Sequence, residues 1–392
     1  MDAYSPHSVR NAAFSSDETA GKVTFMFSFS RSLNRSLPPV CMFLAAAALH
    51  ADHWPAWRGP NGDGVTAESG LPVKWSATEN VKWMIKLPEP GNSTPIVWGD
   101  KIFVTQNLTE KRTLLCLDRR DGKTLWQNGP EWKQKERTHT TNPFCSASPV
   151  TDGERVIAWF GSAGLWCWDL EGKEVWHIDL GPQDHEWGYG SSPVLFGELC
   201  ILNFGPGEKS FVVAVNKKTG KEAWRFNVPP PATMEGPGAK QNYLGSWATP
   251  VVADISGRKE LLIPLPGAAF SLDPQSGKEI WRCHGLNPLA YSDMLFGNVI
   301  GAFGGFGGYS IGVKTGGQGD VTDTHRLWRE TKTGERIGSG VFHDGHFIIP
   351  NEPGTVQRIE PMTGKTVWQE RLQTPSGRAA TWSSIVRSGE LL

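Results

Sequence analysis

The sequence predicts an all-β fold, a multi-bladed β-propeller of four-stranded antiparallel blades, on three observations. One turn motif recurs: an acidic or amide residue, then Gly-Lys, then a tryptophan four residues past the glycine. Its copies carry Gly122 with Trp126, Gly172 with Trp176, Gly220 with Trp224, Gly277 with Trp281, and Gly364 with Trp368. A second repeat, an apolar strand led by Ser-Pro or Thr-Pro and followed by a polar or glycine turn, starts at Thr94, Ser148, Ser192 and Thr249. Units of roughly 40 to 57 residues have the length of one propeller blade. Composition agrees, since 45 Gly and 28 Pro in 392 residues suit many short strands and turns.

Each part of the motif has a physical cause. Asp118, Asp169, Asn216, Asp273 and Glu360 end apolar strands and are suited to hydrogen-bond the turn that follows. Glycine supplies the positive φ of a tight hairpin. The short strand after it alternates its side chains, which sends the tryptophan into the wedge between blades.

In chain order, residues 1–51 read as a leader, 52–80 as a lead-in and 81–392 as the propeller. Arg31 and Arg35 precede an apolar run ending at Ala51, the layout of a secretory signal cleaved near Ala51. Met26 is expected to be the true start, because a signal beginning there has ordinary length. Cys41 sits inside the apolar run without the small-residue context of a lipid-attachment site, so the expected location is periplasmic or secreted. The segment 81–87 reads as a lone outer strand that completes the last blade. Units ending at Trp126, Trp176, Trp224, Trp281, Trp328 and Trp368 give six blades. The fifth is irregular, because Gly316-Gly317-Gln318-Gly319-Asp320-Val321-Thr322 replaces its short turn. A further unit starts at Thr381, and the sequence reads as truncated at its C-terminus as the second strand of that unit begins.

Several function classes are excluded. After residue 51 no stretch is long and apolar enough to span a bilayer, so no transmembrane segment is expected once the signal is removed. A formal net charge of -1 carries no electrostatic footprint of nucleic-acid binding. Six cysteines without a C-x-x-C argue against zinc-ribbon and thioredoxin readings.

The segment Trp54-Pro55-Ala56-Trp57-Arg58-Gly59-Pro60-Asn61-Gly62-Asp63-Gly64-Val65, followed by Trp75 and the repeats, resembles the pyrroloquinoline-quinone-like (PQQ-like) β-propeller repeat proteins of bacterial envelopes, which include relatives of the outer-membrane assembly factor BamB. The resemblance covers about residues 54 to 392 and implies eight blades when complete. One fold serves both quinone-dependent dehydrogenases and cofactor-free scaffolds. A dehydrogenase must stack the quinone PQQ, hold calcium with carboxylate and amide oxygens, and place an aspartate as base. The resemblance also implies an adjacent Cys-Cys disulfide against the cofactor, and this sequence has no adjacent cysteines. The acids that recur already have turn roles. No catalytic or metal-binding residue is therefore assigned and no cofactor is expected; PQQ and calcium belong to the alternative reading alone.

Two other motifs reduce to the repeat. The glycine-rich stretch Gly301-Ala302-Phe303-Gly304-Gly305-Phe306-Gly307-Gly308 occupies a hairpin slot and opens no helix, unlike a phosphate cradle. His343-Asp344-Gly345-His346 aligns with the turn Thr151-Asp152-Gly153-Glu154 rather than with a metal pair. What keeps a functional reading is the set preceding the first strands: His139, Asn142, His185, Trp187, Tyr189, Asn242, Tyr243, Trp247, Tyr291, Arg378 and Trp382. First strands line a propeller's channel, so these residues converge on one rim, where rings and donors suit a peptide, a sugar or a small planar ligand. The competing reading is that they seal the channel and pack blade on blade. The sequence is thus read as an exported, non-catalytic binding or assembly scaffold of the bacterial cell envelope, with a protein or small ligand at the propeller face. The alternatives are a quinone-dependent oxidoreductase and a carbohydrate-related enzyme.

Overall fold

A computed structural model describes residues 53–392 apart from 208, 237, 240–243, 333, 375–376 and 379–381, so the leader lies outside the described residues. Six consecutive antiparallel sheets follow one another in the order first, second, third and outer strand. Blade 1 comprises Ile96–Trp98, Lys101–Leu108, Lys111–Asp118 and Thr124–Asn128. The outer strands of blades 2 to 6 are Glu174–Ile178, Glu222–Asn227, Glu279–His284, Arg326–Glu330 and Thr366–Arg371. Each contains its expected tryptophan. In blade 5 the irregular stretch adds Gly319–Asp320 in parallel to the outer strand of blade 4, which becomes five-stranded.

The turn works as expected. In blade 4 the N–H of Gly277 donates to the Asp273 carbonyl at 2.8 Å and Asp273 N–H to the Lys278 carbonyl at 2.7 Å, with Gly277 at φ +69°. A bulge then falls within the last three residues of the third strand in every blade, from Cys116/Leu117 to Arg358/Ile359.

Glycine and tryptophan of successive copies meet. The Trp224 ring lies against Gly277 of the next blade, where an added Cβ would come within 2.4 Å of it, and its Nε1 donates to the Pro274 carbonyl at 3.2 Å. Trp126 docks in the same way on Gly172, Trp176 on Gly220 and Trp328 on Gly364. Trp83 docks on Gly122 and donates to the Arg119 carbonyl at 2.9 Å, although 81–87, expected as an outer strand, forms no ladder among the described residues. Trp281 departs from the pattern because blade 5 lacks the turn. Its Nε1 donates instead to Glu260 at 2.8 Å, a fully buried carboxylate also held by Arg258 and Ser271. Trp176 is 8% exposed, whereas Trp368 is 40% exposed on a strand open to solvent along its length.

A second device joins the blades at the head of their first strands. Thr94 N–H donates to Ser148 Oγ at 2.8 Å, Ser148 to Ser192 at 2.9 Å, and Ser192 to Thr249 at 3.0 Å. Thr249 N–H then donates to Asp293 Oδ1 at 2.9 Å, Asp293 to Ser339 Oγ at 3.0 Å, and Ser339 to Ser384 Oγ at 2.9 Å. From Ser148 to Ser384, the residue heading each first strand therefore accepts the backbone donor of the one before it, which satisfies N–H groups that would otherwise be buried unpaired.

The lead-in is a strap across the other end of the first strands. Trp54 bridges Val97, the Pro55 carbonyl accepts Thr151 N–H at 2.8 Å, and Val65–Thr66 pairs in parallel with Arg387–Ser388. Between them Arg58 is buried. Its guanidinium donates to the carbonyls of Ile385 and Asp63 at 2.8 Å each, and to those of Ser339 and Gly340.

Candidate functional site

The rim residues form two ring clusters between neighbouring blades. His139 stacks on Trp187 at 4.3 Å, and the Trp247 ring meets His185 edge-on at 5.4 Å and Tyr291 at 4.9 Å. Hydrogen bonds tie the clusters together. Asn142 Nδ2 donates to the Trp187 carbonyl at 2.7 Å and the Tyr189 carbonyl at 3.1 Å, while Trp247 Nε1 donates to the Gly188 carbonyl at 2.9 Å. Below them Arg137 N–H and Nε grip Asp184 at 2.8 and 3.1 Å, linking the same two loops.

The set does not stay together as one face. Tyr189 is taken into the core against Trp159 at 4.6 Å, and its hydroxyl accepts the Cys145 N–H at 3.3 Å. Trp187, two residues earlier, is 42% exposed; an extended chain would put both rings on one face, and Gly188, at φ +62° between them, breaks that alternation. Trp382 is 43% exposed and, among the described residues, enters none of these ring contacts. Asn242 and Tyr243 lie outside the described residues, and Arg378 falls on the short strand Gly377–Arg378. Burial holds the His185 ring below the usual histidine range, opposed by Glu186 and Asp184, and pushes the Tyr291 phenol up. The His185 and Tyr291 rings are therefore neutral near pH 7.

Beneath the rim lies a group the sequence reading missed. Asp293 is fully buried, its Oδ1 takes the Thr249 N–H at 2.9 Å, and its Oδ2 has no partner. Burial pushes its carboxyl up to about 7, against the pull of Arg58, the Thr249 N–H and Ser339. The signal was present: Asp293 occupies the register of Thr94, Ser148, Ser192 and Thr249 at the head of a first strand.

The quinone and calcium of the alternative reading would ask for clustered oxygen donors at the rim. Among the described residues no three His, Cys, Asp or Glu side chains gather to hold a metal, and Asp184 is already engaged by Arg137. The five described cysteines are separate and buried; the Cys145 thiol beside the rim is pushed up to about 12 by burial. His343-Asp344-Gly345-His346 is a hairpin turn, and Gly304 to Gly308 fill the expected slot between Val299–Phe303 and Ser310–Lys314.

Radial four-stranded sheets joined by glycine-docked tryptophans define a β-propeller of PQQ-like repeats. The chain belongs to the family described as outer membrane protein assembly factor BamB, whose profile matches residues 63–187 and 110–370. Among solved structures it is similar to BamB from Moraxella catarrhalis, with a TM-score of 0.53 and 15% identity over 74% of this chain and 77% of that one. That likeness is one of fold. A quinohemoprotein alcohol dehydrogenase from Comamonas testosteroni matches with a TM-score of 0.47 and 12% identity, over 86% of this chain and 75% of that one, too distant to carry argument. In sequence the chain is 32% identical over 179 residues to the quinohemoprotein alcohol dehydrogenase ADH-IIG of Pseudomonas putida. The match takes in 41% of this chain and spans about a quarter of that relative's length (23%).

Proposed function

We propose that this chain is an exported, non-catalytic scaffold of the bacterial cell envelope that presents its aromatic rim to a partner protein. One observation carries the reading: the hydrogen-bonding atoms of the rim serve neighbouring blades, while the rings of Trp187 and Trp382 stay exposed. Exposed aromatics on a rigid frame are the side chains that anchor protein interfaces. Membership of a family described by an assembly factor supports it. A photo-crosslinking residue at Trp187 or Trp382 in the native cell should give a discrete adduct, and one at Lys218 on a remote turn should give none. Equal adducts at all three positions, or none at the rim, would contradict the proposal.

A second reading, a quinone-dependent oxidoreductase, is favoured by the partial identity to the Pseudomonas putida enzyme. The donor set of the described rim speaks against it. Export is part of the same proposal, and amino-terminal sequencing of the mature protein should begin near Asp52. Retention of Met1 would overturn that part.

A further inference from the structure

Blades 3, 4 and 5 each place an arginine directly after the tryptophan of the outer strand: Arg225, Arg282 and Arg329. The ladders put Trp224 opposite Ala214, Trp281 opposite Ser271 and Trp328 opposite Gly312, so the residues three positions earlier on the third strands are equivalent. They are Phe211, Ala268 and Tyr309. In blade 3 the Arg225 guanidinium lies 3.9 Å from the Phe211 ring centroid, and in blade 5 Arg329 lies 5.0 Å from that of Tyr309. In blade 4 Ala268 brings no ring, and a cavity of about 390 Å³ opens instead.

The cavity is walled by more than that deletion. Phe226 and Phe270 meet edge-on at 5.8 Å on one side, Pro230 and Pro231 close the other, and Arg282 and His284 stand on the outer strand. The prolines come from the longest step of the hydroxyl ring, 57 residues from Ser192 to Thr249 against 44 for the steps on either side. Arg282 is held ready by Glu279 at 2.7 Å and by Asp320 at 3.6 Å, the latter supplied by the blade 5 excursion. Arg225 is held by Glu222 at 2.6 Å in the same way. Both departures from the repeat therefore border one cleft, and insertions in repeat proteins gather at binding faces.

We propose that this cleft is a binding site for a small planar aromatic compound of one or two rings, which takes the place that Phe211 and Tyr309 hold in the flanking blades. The volume falls within the range of ligand pockets. The Arg282 guanidinium lies over the ligand ring as a cation–π partner, Phe226 and Phe270 offer edge contacts, and His284 and Asn227 can bond a polar substituent. The site lies on the outer flank between blades 3 and 4, apart from the channel rim.

Indole titrated into the intact chain, followed by calorimetry and ligand-observed NMR, tests this. Indole should bind saturably, and cyclohexylmethanol, an aliphatic compound of similar size, should bind roughly tenfold more weakly or worse. Arg282→Gln should weaken indole several-fold. Ala268→Phe should abolish binding and raise the unfolding midpoint, because it restores the pair seen in blade 3. Ala268→Leu fills the cleft without a ring and should also lose indole, which keeps the test decisive if the phenylalanine variant does not fold. The proposal is overturned if indole fails to bind the unaltered chain, binds Ala268→Leu or Ala268→Phe as tightly as that chain, or is matched by the aliphatic compound.

Discussion

Gly277→Ala isolates the joint between blades. Gly277 sits at φ +69°, where a residue with a Cβ costs about 1–2 kcal/mol. The new Cβ would lie 2.4 Å from the Trp224 ring, far inside contact distance, so the ring must move. Moving it breaks the 3.2 Å bond from Trp224 Nε1 to the Pro274 carbonyl, about 1 kcal/mol. It also opens space in the core cluster that Trp224 shares with Leu261 and Phe270, about 1–2 kcal/mol for a partial loss of packing. The expected total is about 4 kcal/mol. Gly257 is the control: its φ is +84° and nothing lies within 4 Å of an added Cβ. Gly257→Ala should cost only the backbone part, about 1–2 kcal/mol. Urea unfolding of both variants, followed by tryptophan fluorescence, measures the difference. If the two lose the same stability within about 0.5 kcal/mol, the tryptophans are not docked on the glycines and the joint is misread.

Trp176→Ala should cost about 3–5 kcal/mol by chemical denaturation, and Trp368→Ala, on an exposed strand, below about 1. Asp293 has a folded carboxyl raised to about 7 from 3.8, so it holds its proton over a range where the unfolded chain does not. Stability is therefore greatest below about pH 4 for this group and is lost as pH rises to about 7, by at most about 4 kcal/mol. Asp293→Ser, which restores the hydroxyl of the other blades, should flatten that slope, and an unchanged profile would refute the assignment. The five described cysteines are buried, with Cys116, Cys145 and Cys167 each pushed up to about 12. A thiol reagent at pH 8 should modify none of them until denaturant is added.

Much of the fold was legible because a propeller repeats its local chemistry. The turn acid, the glycine and the tryptophan each act within a few residues, so a single sequence displays them. The joint was not legible, because the glycine and tryptophan of one copy serve different joints: Trp224 meets Gly277, not Gly220. The hydroxyl ring was visible only as a habit of Ser-Pro and Thr-Pro, and Asp293 in the same register was overlooked for want of the proline. Arg58 reaches carbonyls 281 and 327 residues away, a separation at which local pattern says nothing. At the rim, Trp187 and Tyr189 were grouped because both precede a first strand, yet Gly188, at φ +62° between them, turns one ring to solvent and the other to the core.

Under the proposed function the chain serves as a scaffold without quinone chemistry. Its direct test is the absorbance spectrum of the purified protein after addition of PQQ and calcium and removal of unbound quinone by gel filtration, followed by a dye-reduction assay with primary alcohols. No retained quinone band and no alcohol-dependent dye reduction are expected. Quinone retained in stoichiometric amount, together with dye reduction that requires calcium, would contradict it.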